Sequence, residues 1–241
     1  MCAVPFKGLA RCFWPPVGAG LPCPYGIWIL DFICHLDFGL SLLFLAIATN
    51  TPCMAQRSIV VYLVPAGKVE KGLLKELAQS LRDKLGVAAE VGEPVEISKA
   101  AFDQGRNQYN STRVLQGLET TRPRISRGRV TLPLLLAVTE VDLFVPNLNF
   151  VFGEALPTKD MAIISLCRLR QEFYGEPADA ALLMERTIKE AVHELGHVWG
   201  MRHCPDPHCV MFFSNSLLDT DRKPDAFCKR CKGLLKDNVQ E

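Results

Sequence analysis

The run Thr187 to Gly200 constrains this chain more than any other, because it carries His193, Glu194, His197 and Gly200 and is followed by His203. Two histidines four residues apart project from one face of a helix about one turn apart, as two imidazoles must to share one ion. The spacing therefore predicts a helix over Thr187–Gly200. Glu194 lies next to His193 and can reach a water on that ion without being a ligand itself. Gly200 can take the left-handed conformation that ends a helix and turns the chain. His203 then folds back as a third nitrogen ligand. Three protein ligands leave a fourth position open, which is the arrangement of a catalytic zinc site. His-Glu-x-x-His alone arises by chance in ordinary helices. The full pattern uses three of the five histidines, and its chance frequency in such a chain is on the order of one in 10^5.

The cysteines form a second constellation. Cys204 directly follows His203, Cys209 comes next, and Cys228 and Cys231 make the pair CKRC. Four thiolates in two close pairs suit a closed tetrahedral zinc that stabilises a fold and offers no open position. Buried inert thiols, or a redox pair at Cys228 and Cys231, are the alternatives. Two zinc ions per chain are expected, one catalytic and one structural. Five other cysteines (Cys2, Cys12, Cys23, Cys34, Cys53) precede residue 54, and Cys167 stands alone. A disulfide framework fits a chain of this length poorly, so a reduced, cytoplasmic protein is expected.

Joined in this order, the two constellations resemble the archaemetzincins, zinc metallopeptidases of the metzincin clan. The signature stands here as HELGHVWGMRHCPDPHCVM and CKRC. The resemblance covers roughly residues 57–241, and RNQYNST (Arg106 to Thr112) and LNFVFGEA (Leu148 to Ala155) also look family-like. It implies peptide-bond hydrolysis at zinc held by His193, His197 and His203, with Glu194 as general base and then general acid. An aminopeptidase mode stays open. Met211 takes the place of the clan's Met-turn, a methionine beneath the catalytic zinc; on its own it reads as an ordinary core residue. In metzincins an edge strand over the cleft pairs with extended substrate. Phe150, Val151, Phe152 and Gly153 are the candidate here, with an ordinary short strand the equal alternative. The gap from Met211 to Cys228 is one residue shorter than the usual spacing, which matters little if that loop only returns a thiolate pair.

Composition removes other classes. Lys plus Arg is 27 against 26 acidic residues, net +1, so no bulk electrostatic attraction to nucleic acid or membrane is expected. With 49% apolar residues the chain has ample material for a core. Two other readings remain: a catalytically silent zinc protein, against which the intact Glu194 counts, and a nucleic-acid-binding zinc module around Cys204 to Cys231. Lys229, Arg230, Lys232 and Lys236 favour that module, and near-zero net charge without clustered aromatics counts against it. A monomer acting on peptide or protein is expected.

Residues 1–53 read differently, with only Lys7, Arg11, Asp31 and Asp37 charged. Their longest uncharged apolar run, Phe38 to Ala48, is too short for a membrane span of about 20 residues. A disordered extension or a mis-assigned start before Met54 is expected. A signal peptide ending near Ala48 is the alternative, so secretion stays open, and a membrane anchor is more remote.

After Met54 the pattern becomes that of an α/β domain. Ser58 to Val64 reads as a buried strand ended by Pro65, Val69 to Leu85 as a helix closed by Gly86, and Val87 to Val91 as a parallel strand. A short helix over Ser111–Glu119 with an Asn110 or Ser111 cap follows, then a basic solvated loop from Arg122 to Arg129. Strands are expected at Leu134–Val138 and Ala162–Leu166, with Asp142–Val145 either extending the first or turning away. The fold class is thus a metzincin-like α/β domain, with a twisted, mostly parallel sheet, an active-site helix and a small zinc-stabilised C-terminal subdomain.

Overall fold

A computed structural model describes residues 59–121 and 133–240, all within the compact unit Met54–Glu241. The expectations for residues 1–53 and for the Arg122–Arg129 loop lie outside the described residues.

Five strands form the main sheet in the order β2-β1-β5-β8-β7: β1 (Val60–Ala66), β2 (Ala88–Val91), β5 (Leu134–Thr139), β7 (Gly153–Leu156) and β8 (Met161–Ser165). The first four in that order run parallel, and β7 closes one edge antiparallel to β8. Strands β1, β5 and β8 are covered on both faces, which is why they read as continuous apolar runs. Alternate residues separate cleanly. Val61, Leu63, Leu136, Val138, Ala162 and Ile164 enter one cluster with helices α1 (Lys71–Leu85) and α3 (Ala180–Val198). Val64, Leu135, Ala137, Met161 and Ile163 enter the other, against α2 (Ser111–Leu118). Strands β3 (Phe102–Asp103), β4 (Gln108–Asn110) and β6 (Leu143–Phe144) make a separate small sheet.

The caps are where the residues demand them. Gly86 ends α1 at φ 67°, and the Asn110 side chain accepts from Arg113 N–H at the start of α2. Ser111 is instead buried, donating to Phe144 O. Three expectations shift, and one left open between two alternatives is decided. Strand β1 runs through Pro65 because the Pro65 carbonyl, and with it the ring nitrogen, faces Val95, beyond the end of β2 at Val91. No ladder donor is lost there. Asp142–Val145 turns away from β5, and Leu143 and Phe144 pair with β4 instead. The strand expected over Phe150–Gly153 begins three residues later, as β7 at Gly153. Val151 makes only an isolated bridge to Leu143, and the alternating aromatics Phe150 and Phe152 pack on one another edge to face. Finally, α3 starts two turns before Thr187, with Asp179 accepting from Leu182 N–H at 2.9 Å.

Two further helices complete the C-terminal part, α4 (Leu217–Arg222) and α5 (Lys229–Gln240). Among the described residues, no helix is long and apolar enough to cross a membrane.

Candidate metal centre and active site

Helix α3 passes beneath the edge of the sheet and presents His193, Glu194 and His197 to a cleft of about 320 Å³, whose walls include Leu148, Phe150, Gly153, Glu190 and Phe213. Its end is a Schellman motif. Gly200, at φ 81°, donates its N–H to His197 O, and Met201 N–H reaches Gly196 O. That turn lets His203 fold back. His197 Nε2 lies 3.1 Å from His193 Nε2 and 3.2 Å from His203 Nε2.

These distances carry a chemical requirement. His193 Nδ1 is 2.7 Å from Val210 O, and His197 Nδ1 is 2.8 Å from Met201 O. A carbonyl only accepts, so each Nδ1 carries the proton and each Nε2 presents a lone pair. Lone pairs facing one another at that range repel unless a cation lies between them. Burial first, then Lys223 and His197, holds the His193 imidazole well below its usual range; burial likewise lowers His197 and His203. All three imidazoles are therefore neutral near pH 7. The donor set fits a divalent zinc.

Glu194 reaches the same cleft. Burial, reinforced by Glu190, pushes its carboxyl well above the ordinary carboxylate range, against the lowering by Lys223. Its position depends on Gly153, where a Cβ would lie 2.7 Å from Glu194 Cγ and 2.8 Å from Ile163 O. Gly153→Ala is accordingly expected to push Glu194 away from β7 and to strain the contact with the Ile163 carbonyl. The loss in kcat should be about tenfold, a fraction of the roughly 10²-fold that a 1 Å misplacement costs. Zinc content should be unchanged; a variant with wild-type kcat would show that Glu194 tolerates the shift. On the far side of α3, Met211 is fully buried against Gly196, whose absent Cβ leaves the room its sulfur occupies.

The four cysteines converge as well. The Sγ atoms of Cys204, Cys209, Cys228 and Cys231 lie within 4.8 Å of one another, with Cys204 and Cys228 at 3.9 Å. A tetrahedral thiolate zinc site has sulfurs about 3.8 Å apart, given Zn–S bonds of about 2.3 Å. The backbone N–H of Cys231 draws the Cys228 thiol down to about 7, while burial raises Cys209 and Cys231. Arg230 Nη2 approaches Cys204 Sγ at 3.3 Å.

The geometry meets independent support. The pattern of Peptidase family M54 matches residues 73–237. The chain belongs to peptidase family M54. Archaemetzincin from Pyrococcus furiosus is 42% identical over 185 residues, covering 75% of this chain and 94% of that protein. Archaemetzincin from Methanocaldococcus jannaschii is 41% identical over 177 residues, covering 73% and 93%. Among solved structures, a zinc-dependent peptidase from Methanocorpusculum labreanum superposes with a TM-score of 0.68 at 34% identity, covering 73% of this chain and 99% of its own. Archaemetzincin from Archaeoglobus fulgidus, complexed with malonate, gives 0.61 at 36%, covering 73% and 99%. As a member of peptidase family M54 with two groups able to hold a metal ion, the chain is a zinc-dependent metallopeptidase that hydrolyses peptide bonds.

The segment from Met211 to Cys228 does more in this M54 peptidase than return two thiolates. It contains α4, which docks on α3 through polar groups that periodicity could not single out. Arg186 donates bidentately to Asp221 at 2.6 and 2.8 Å, and Lys189 donates to Asp221 O. Thr220 donates to Glu190 Oε1, which also lies 3.0 Å from Lys223 Nζ. Lys223 is only 1% exposed and Glu190 3%. Removing one partner of such a pair leaves a buried charge alone, which typically costs about 3–5 kcal/mol. Glu190→Ala should show that loss in denaturant unfolding; an unchanged midpoint would mean Lys223 finds water or another partner.

Proposed function

We propose that His193, His197 and His203 hold the catalytic zinc of this metallopeptidase, that Cys204, Cys209, Cys228 and Cys231 hold a second, structural zinc, and that Glu194 is the general base. The facing Nε2 atoms, each opposite an Nδ1 already spent on a carbonyl, carry this reading. When bound, zinc lowers the pKa of its water and polarises the scissile carbonyl. Glu194 takes a proton from the attacking water and passes it to the leaving amine. Its carboxylate, on the wall of the same cleft, is placed to serve both halves of that transfer. Val210 O and Met201 O fix the tautomer and plane of two ligands. Met211 supports the helix beneath the ligands through its contact with Gly196.

Strand β7 is the antiparallel outer strand of the sheet, and Gly153 on it lies against Glu194. Extended substrate pairs with that edge, at Gly153–Leu156 rather than along the whole of Phe150–Gly153. The protein acts as a monomer on peptide, with residues 54–241 as the peptidase domain. A chain beginning at Met54 is accordingly expected to be soluble, to unfold cooperatively and to keep both metals. Aggregation of that chain, with the full chain soluble, would put residues 1–53 into the core. Hydrolysis of a peptide library with and without a chelator, read beside two-ion metal analysis, tests the whole reading. Two zinc ions with no cleavage would favour a silent zinc protein.

A further inference from the structure

The two family-like stretches away from the histidines, Arg106 to Thr112 and Leu148 to Ala155, meet in space. Arg106 Nη2 donates to Leu148 O at 2.7 Å and to Asn149 O at 2.8 Å, while its Nε donates to Gln108 Oε1 at 2.9 Å. Gln108 is buried and donates through Nε2 to Asn149 O at 3.0 Å and to Asp142 Oδ2 at 2.9 Å. Asp142 in turn holds Arg168 bidentately at 2.7 and 2.8 Å. The Arg168 guanidinium lies over the Phe150 ring at 4.3 Å, and that of Arg106 lies over Phe144 at 4.4 Å. Two arginines, one glutamine and one aspartate thus fix three consecutive residues of the cleft rim.

The consequence follows from the planar trans peptide. In each unit the N–H points opposite to the preceding C=O, and the described residues contain no cis bond. Since the carbonyls of Leu148 and Asn149 both turn toward Arg106, the N–H groups of Asn149 and Phe150 both turn away from it. Leu148, Asn149 and Phe150 line the cleft; Arg106 and Gln108 do not. Among the described residues neither N–H has a hydrogen-bond acceptor.

We propose that the Asn149 and Phe150 amides form a two-donor anchor for a main-chain carbonyl of the peptide substrate, and that Arg106 is the positioning residue that aims them. The anchor precedes β7 in the chain, so it extends the pairing edge rather than duplicating it. It rests on the metallopeptidase reading for the identity of its ligand. Arg106 touches no reacting atom; it spends both carbonyls so that the opposite face of the loop offers donors only. An arginine is suited to this because its planar fork reaches several acceptors at fixed angles, which a lysine cannot do.

The test is peptide binding by calorimetry to zinc-loaded Glu194→Gln protein, with Arg106 intact or changed to Ala. The ligands are one hexapeptide and a series in which a single main-chain amide at a time becomes an alkene isostere. With Arg106 present, one isostere position should weaken binding about tenfold, the value of one to two net hydrogen bonds. With Arg106→Ala the parent peptide should bind about tenfold more weakly, and that isostere should cost nothing further. Arg106→Lys should behave like the alanine variant, since charge alone does not aim the loop. An isostere penalty that survives Arg106→Ala, or parent binding indifferent to Arg106, overturns the anchor. Should Arg106→Ala fail to fold, Arg106→Lys decides alone, by wild-type against weakened binding. Cleavage of the parent peptide by the wild-type chain is scored separately: binding without cleavage counts against the peptidase chemistry and leaves the anchor standing.

Discussion

Glu194→Gln is expected to keep the zinc content of the wild-type protein while peptide hydrolysis falls by about two to four orders of magnitude. The side chain keeps its shape and its place against Gly153, so the cleft is not reshaped. What disappears is the capacity to take a proton and return it, and general acid–base catalysis contributes about 10²–10⁴-fold. In the proposed site the carboxylate is not a ligand, because the three facing Nε2 atoms already form a convergent donor set. Metal analysis and kcat on the same preparation check both halves. Loss of zinc in Glu194→Gln would mean that the glutamate coordinates, and retained turnover would pass the general-base role to another group.

Cys228→Ser is expected to lose the structural zinc and also to weaken the histidine site by about 10–100-fold in zinc affinity or rate. A serine hydroxyl is a poor substitute for a thiolate ligand, so the first loss is direct. The second runs through the backbone between the two sites. His193 Nδ1 is oriented by Val210 O, and Val210 N–H is bound to Ala226 O, two residues before Cys228. Cys204 N–H bonds Met211 O, closing the loop that begins directly after His203. Releasing the cysteines frees the segment that orients one histidine and carries another, and loss of such support typically costs that 10–100-fold. Zinc stoichiometry, a chelator titration and the peptidase rate measure it. If Cys228→Ser loses one zinc but holds the other with wild-type affinity and rate, the cysteine cluster is an independent module.

The sequence alone determined what rests on local spacing. Two histidines four apart, a glycine able to turn left-handed and a third histidine define a convergent site because helix pitch is the same in every protein, and the structure keeps that geometry. The apolar runs of β1, β5 and β8 were legible for a similar reason, since a strand covered on both faces can only be apolar throughout. Tertiary structure decided the rest. Arg186, Lys189 and Glu190 are charged residues of α3, yet all three are buried, because the α4 segment brings Thr220, Asp221 and Lys223 to meet them. Pairing across thirty residues or more leaves no local periodic trace. The same holds for Arg106, whose partners Leu148 O and Asn149 O are backbone atoms that no residue type announces. Phe150 and Phe152 carried the alternation of a strand, but Val151 between them pairs with Leu143 of the small sheet, so the ladder with β8 begins at Gly153, where a residue without a Cβ lets Glu194 approach.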